Sequence, residues 1–248
     1  MLFTSASVVL LDAAVLAQPG PIILTDLSML QGFLYLPSVD GVYWSLTVEL
    51  AFYFCMWGLW RARLLGRIEA VLLGWIGLTV LWWLVPALPS RVGMVLVVRY
   101  IPFFAIGMAA YRVRTGARRW SEQLPVLALG LAAVALVETP ESAAVYASVV
   151  AIFALLVGGR LGWLANPLLL WLGALSYTIY LIHQNFGYAL IAALERAGAA
   201  PWVALPCAIA ATLLVAQLIH TLIEQPALRG IRTWWKHRGT RAPLPAAE

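Results

Sequence analysis

Eight stretches of this chain run apolar over most of a bilayer's thickness, and that pattern restricts the fold more than any motif does. They are Leu2 to Gln18, Trp44 to Trp60, Glu69 to Pro86, Gly93 to Tyr111, Leu124 to Val137, Ala143 to Gly158, Leu168 to Leu194 and Val203 to Glu224. A hydrocarbon core takes about 20 residues of helix per crossing, and within it every backbone N–H and C=O must be paired inside the protein. The fifth and sixth stretches are short and flank ETPES at Glu138 to Ser142, where Pro140 ends the first helix, so they read as one helical hairpin. Composition agrees, with 63% hydrophobic and 11% charged residues against about 25% charged in a soluble domain. The expected fold is all-α: a polytopic integral-membrane helix bundle of about eight transmembrane helices. It is read as one domain over residues 1–248, ending in a basic cytoplasmic tail over 229–248.

The charges test this layout, because Lys and Arg collect in short cytoplasmic loops. With the second span ending inside, thirteen of the sixteen basic residues fall on the inner side: Arg61 to Arg67, Arg112 to Arg119, Arg160, and the tail from Arg229 to Arg241. Arg91 and Arg196 fall outside, and Arg99 lies within a span. Both chain ends are therefore expected in the cytoplasm of a multi-pass protein of the inner, or plasma, membrane. The longest outer loop, Pro19 to Tyr43, is read equally as a substrate-docking loop or a simple connector. The net charge of +5 is not arranged along one face, so it reads as an orientation signal, with no nucleic-acid partner. Met1 to Ala17 lacks a basic start and carries Asp12, which favours a span over a signal peptide. Cys55 and Cys207 sit inside apolar runs without ligand spacing, so no disulfide framework or metal site is expected.

Few polar groups lie within the apolar runs, and a charge at mid-membrane costs about 2.5–3.5 kcal/mol on insertion scales, so each of them should face protein or a cavity. Glu49 shares a helical stripe with Ser45 and Tyr53, four residues away on either side. It reads as an acid or base, as a group that orients a neighbour, or as a plain tie between helices. In LSYTIYLIHQNF, Ser176, Tyr180 and His183 fall at i, i+4 and i+7, one face on which three hydrogen-bonding groups are expected to converge. His183 reads as a proton carrier, a donor to a ligand carbonyl, or a bundle hydrogen bond. His220 has a weaker claim and His237 almost none. Arg99, which opens RYIPFF, is expected to pair with Glu49 through its fork of donors or to snorkel to the outer interface. No P-loop, zinc signature, nucleophile elbow or dinucleotide fingerprint is present.

Four segments together resemble a known family. WSLTVELAFYF at Trp44 to Phe54 is similar to the Trp-Ser-Leu-Ser-Val-Glu motif of the membrane-bound acyltransferase 3 family, whose members O-acylate sugars and glycans of the cell envelope. RYIPFFAIGMAAYRV resembles its Phe-Phe-x-x-Gly helix, NPLLLWLGALSYTIYLIHQ its Leu-Gly-x-x-Ser-Tyr segment, and IEQPALR its closing Glu-x-Pro, all in family order. The resemblance implies a ten-helix domain that takes an acyl group, most often acetyl, from acyl-coenzyme A and passes it to a saccharide hydroxyl. No bound cofactor is implied, since the coenzyme is the donor substrate. The family's first two helices carry an Arg and a His, the latter its main catalytic candidate. No residue here matches that His, so the chain is expected to be incomplete at its amino end, its missing helices encoded upstream or supplied by a protein partner.

By the resemblance, Glu49 and His183 are the catalytic candidates, and Trp44, Ser45, Ser176, Tyr177 and Tyr180 the substrate-binding ones; Arg99 joins the latter by its place within a span. Leu50 and Ala51 stand where the family often has polar residues. Two other readings compete, a proton-coupled transporter that uses the intramembrane Glu and His as a relay and a truncated, non-catalytic membrane protein.

Overall fold

The computed structural model describes residues 28–34, 36 and 40–239, and among these there is no strand. The helices are α1 (Trp44–Arg61), α2 (Ile68–Leu84), α3 (Ser90–Val95), α4 (Ile101–Arg114), α5 (Trp120–Val137), α6 (Pro140–Val157), α7 (Pro167–Arg196), α8 (Pro201–Ile219) and α9 (Gln225–Gly239), with a π-helical turn at His220–Glu224 joining the last two. The all-helical expectation is met, and the count of eight spans is not confirmed. Among the described residues, five helices are long and apolar enough to cross a membrane: Gly41–Arg61, Leu65–Leu84, Trp120–Val137, Pro140–Val157 and Pro201–Lys236. The expected first span lies outside the described residues. The fourth is broken, as set out below.

The chain forms two compact units. Among the described residues, one comprises 28–34, 36 and 44–166, and the other comprises 40–43 and 167–239. In the first, α2, α4 and α5 pack around a core of Ile68, Leu72, Ile76, Ile101, Ala105 and Val126, with Ala51 of α1 against it. Small residues on α4, Ala105, Ala109 and Ala110, are buried, as is usual where membrane helices approach closely. The α5–α6 pair forms the hairpin expected at ETPES, with both helices 18 residues long. They outrun the apolar stretches because their polar ends are capped. The Glu122 carboxylate accepts the Arg119 backbone N–H at 2.7 Å, and Thr139 caps α6 by accepting from the N–H of Ser142, with Pro140 in the first turn. Gly130 is the close-approach point of the hairpin, because any Cβ there would collide with Tyr146.

The apolar run Gly93 to Tyr111 is not one helix. It stops at Val95 and resumes at Ile101, and Val97 between them has φ +47°. Left-handed backbone at a β-branched residue costs about 1–3 kcal/mol and survives only where the surroundings over-determine it. Three side chains from α1 and α2 do so. Cys55 Sγ donates to the carbonyl of Val95 at 3.2 Å, Trp75 Nε1 to that of Leu96 at 2.6 Å, and Thr79 Oγ1 to that of Val98 at 2.7 Å. At membrane depth such carbonyls need protein partners, and Val97 and Val98 are accordingly buried.

An ionic network ties the opposite end of this unit. Glu69, at the start of α2, accepts from Arg112 Nε at 3.0 Å and Gln123 Nε2 at 3.2 Å, with Arg118 Nε at 3.4 Å. Arg118 also reaches Glu122 at 3.0 Å. The end of α4 and the starts of α2 and α5 thus share one face, as the arginine spacing requires. In the second unit α7 packs along α8, and the Gly41–Tyr43 turn packs on α7.

Replacing Thr79 with Val is expected to leave the buried Val98 carbonyl unpaired and cost about 1–3 kcal/mol. That is a melting point several degrees lower in detergent, while Thr79→Ser stays near wild type. Equal melting of the Val variant would show that this bond does not hold the break.

Candidate functional site

The stripe on α1 builds one wall of a cavity of about 540 Å³. Ser45, Glu49 and Tyr53 line it from α1, Phe103 and Gly107 from α4, and Tyr100 from just before α4. Tyr53 donates its hydroxyl to Glu49 Oε1, which leaves Oε2 for an incoming donor. Trp44 stands at the mouth with its ring 5.6 Å from that of Tyr100, and Phe52 stacks on Phe104 at 4.0 Å. Glu49 is the one carboxylate among the residues that line this space. Sequence spacing placed Ser45, Glu49 and Tyr53 on one stripe, and the three share this wall.

Phe52, Phe104 and Gly107 also line a second cavity of about 410 Å³ that runs on to Met56, Met108 and Arg112. Gly107 lies between the two, and a Cβ built there meets nothing within 4 Å. The two cavities adjoin along α1 and α4 as a largely apolar groove whose charged groups are Glu49 near one end and Arg112 at the other. At this end the arginines are partly committed, since Arg112 and Arg118 both bond Glu69.

Arg99 does not pair with Glu49. The break at residues 96–100 carries it to Glu138, whose carboxylate it grips with Nε at 2.7 Å and Nη2 at 3.0 Å. Nor do the α7 groups converge. Ser176 turns back to the carbonyl of Gly173 at 2.8 Å, as serines within helices often do. Tyr180 donates to the carbonyl of Val42 at 3.0 Å, and Tyr177 is 49% exposed. His183 keeps the role its spacing left open. Its Nδ1 lies 2.9 Å from the carbonyl of Tyr180, which can only accept, so Nδ1 carries a proton. His183 and Gln184 line a separate cavity of about 440 Å³ between α7 and α8.

Two polar centres lie outside the site candidates that the sequence offers. Asp40 is fully buried, accepting from the N–H groups of Val42 at 3.2 Å and Asn185 at 3.4 Å. Burial pushes its carboxyl above the ordinary 3.8, partly offset by those two bonds and by His183. Its only sequence signal was the Asp-Gly pair just ahead of an apolar run. Glu224 was taken as the end of the last span. It instead accepts from Thr178 Oγ1 at 2.9 Å and His220 Nδ1 at 2.8 Å, and Gln225 Nε2 lies 3.2 Å from His220 Nε2. The π-turn that gathers these groups is the kind of irregularity often found at functional sites.

These features define a polytopic helical membrane protein with a carboxylate-bearing apolar groove. The family model described as an acyltransferase domain, that of the acyltransferase 3 family, matches residues 1–221, and the chain belongs to that family. No curated protein and no solved structure matches the chain.

The Asp40 shift fixes the sign of a pH effect. A carboxyl with a raised folded-state pKa favours the protonated fold, so its contribution is lost as pH rises from about 4 through the raised value and stays lost above it. Asp40→Asn removes that titration. The wild-type melting temperature should therefore fall relative to the Asn variant between about pH 4 and pH 7, and parallel curves would mean that Asp40 titrates normally.

Proposed function

We propose that the chain is a membrane O-acyltransferase that moves an acyl group, most simply acetyl, from acyl-coenzyme A to a hydroxyl of a saccharide or envelope glycan. Membership of the acyltransferase family supports acyl transfer in general. The observation that carries the finer reading is Glu49, held by Tyr53 on the wall of an apolar groove large enough for an acyl donor. In this reading the acceptor hydroxyl donates to Glu49 Oε2 and attacks the thioester carbonyl. The C–S bond breaks, the new ester forms, and the proton leaves with the coenzyme thiol. Tyr53 fixes the carboxylate, while Trp44 and Ser45 hold the acceptor at the mouth. His183 lines its own cavity, beside Tyr180.

The arginine end, from Arg61 to Arg67 and Arg112 to Arg119, faces the cytoplasm in this reading. The coenzyme arrives on that side, and both chain ends lie there in the plasma membrane. The partners are the bilayer, the acyl donor and the saccharide, with a protein partner where further helices are required.

Glu49→Gln should lower acyl transfer by about 10²- to 10⁴-fold, the range for loss of a proton-handling group, with unchanged expression and melting. Tyr53→Phe should lower kcat by less and leave KM near wild type. Purified protein in lipid nanodiscs, assayed for thiol release from acetyl-coenzyme A with a saccharide acceptor, supplies the readout. Full activity in Glu49→Gln would remove that carboxylate from the mechanism.

A further inference from the structure

At the end of the first unit away from Glu69 and Arg112, a third cavity of about 490 Å³ opens between α2, the broken segment and the end of α5. Three aromatic rings, Trp82, Trp83 and Tyr100, line it, together with Arg99 and Glu138. Its volume lies within the range of about 300–1,000 Å³ typical of small-molecule sites.

The chemistry of the lining is specific. Arg99 and Glu138 grip each other through two bonds, so the pair carries no net charge. Both partners remain accessible, with Arg99 67% and Glu138 22% exposed. Such a pair offers N–H donors from the Arg99 Nη1 side and lone pairs from both Glu138 oxygens. That suits hydroxyl groups, which donate and accept at once. It does not suit a phosphate, which would meet the carboxylate as a like charge. The rings supply flat, electron-rich faces, the complement of the C–H face of a sugar ring. Trp82 is seated on Gly93, where any Cβ would meet its ring nitrogen.

A second observation points to the same place. The break in the helix is what places these groups, for the left-handed residue Val97 sits two residues from Arg99 and three from Tyr100. An unbroken helix from Ser90 would carry Arg99 and Tyr100 on a different line. Tyr100 also lines the Glu49 cavity, so one ring separates the two spaces.

We propose that this aromatic cleft is a saccharide-binding site, with Trp83 and Tyr100 stacking on a sugar ring and the Arg99–Glu138 pair bonding its hydroxyls. It delivers the hydroxyl past Tyr100 toward Glu49. In that last respect it rests on the acyl-transfer reading above, but the binding site stands by itself.

The test is saturation-transfer NMR on the protein in nanodiscs of neutral phosphatidylcholine, without sugar-headed detergent. The probes are the methyl glycosides of glucose, mannose and N-acetylglucosamine. Saturation of the ring C–H protons of at least one glycoside is expected with wild type. Trp83→Ala and Glu138→Gln should each weaken apparent affinity about tenfold, the scale of one lost stacking or hydrogen-bonding contact. Trp83→Phe should keep most of it, and Trp57→Ala, at an exposed ring elsewhere, should change nothing. Since Trp83 is 45% exposed, its loss leaves the fold intact, which a melting curve checks. The proposal is overturned if no glycoside receives saturation, if Trp83→Ala binds like wild type, or if inorganic phosphate displaces the glycoside. Glycoside binding without acyl transfer would refute the transferase reading alone, whereas acyl transfer with no glycoside binding would refute this cleft alone.

Discussion

The first unit depends on three side-chain bonds to carbonyls that the chain itself sets free. Between Val95 and Ile101 the helix ends, Val97 takes a left-handed conformation, and Cys55, Trp75 and Thr79 donate to the exposed carbonyls. In water such a break would be cheap, because solvent would take up the loose groups. Within a bilayer the protein must do so, and each of these donors comes from a neighbouring helix. The bonds therefore tie α1 and α2 to the break and, through it, set where α4 begins. The aromatic row of Tyr100, Phe103 and Phe104 then faces α1, and Arg99 is carried to the end of α5.

Burial sorts the carboxylates by what meets them. Glu69 and Glu138 are each met by arginine, and Glu224 by a threonine and a histidine. These read as ties between helices, and a tie broken at one partner leaves an uncompensated charge. Glu49 is different. Its bonded partner is the neutral Tyr53, and it borders open volume on an otherwise apolar wall. A carboxylate in that setting is a functional-site candidate, which is why the functional reading rests on it.

Much of this was legible in the sequence, and the parts that were not have physical causes. Apolar run length gave the all-helical membrane class, and arginine spacing gave the shared face that Glu69 and Arg112 confirm. Four-residue spacing gave the Ser45–Glu49–Tyr53 stripe, because a helix side chain's direction is set by its own helix. Where a neighbouring helix decides, the reading failed. The Arg99 partner depended on a break that Pro102 alone did not locate, since the kink is made by donors on other helices. Ser176, Tyr180 and His183 share a face, yet each found a nearer carbonyl than any common ligand. Asp40 was overlooked because burial of a loop carboxylate is a property of the fold and leaves no periodic mark. The ends of α5 and α6 were set too short because capping extends a helix into polar sequence.

The most direct test of the account is where an acyl donor lies. An acyl-coenzyme A bearing a photoreactive group on its acyl chain can be activated on the nanodisc-embedded protein and its adducts mapped by peptide mass spectrometry. The account predicts adducts on the groove around Glu49, at Phe52, Phe104 or Met108, that excess unlabelled acyl-coenzyme A suppresses. Adducts confined to α7 and α8 around His183, or labelling that unlabelled donor does not suppress, would contradict it.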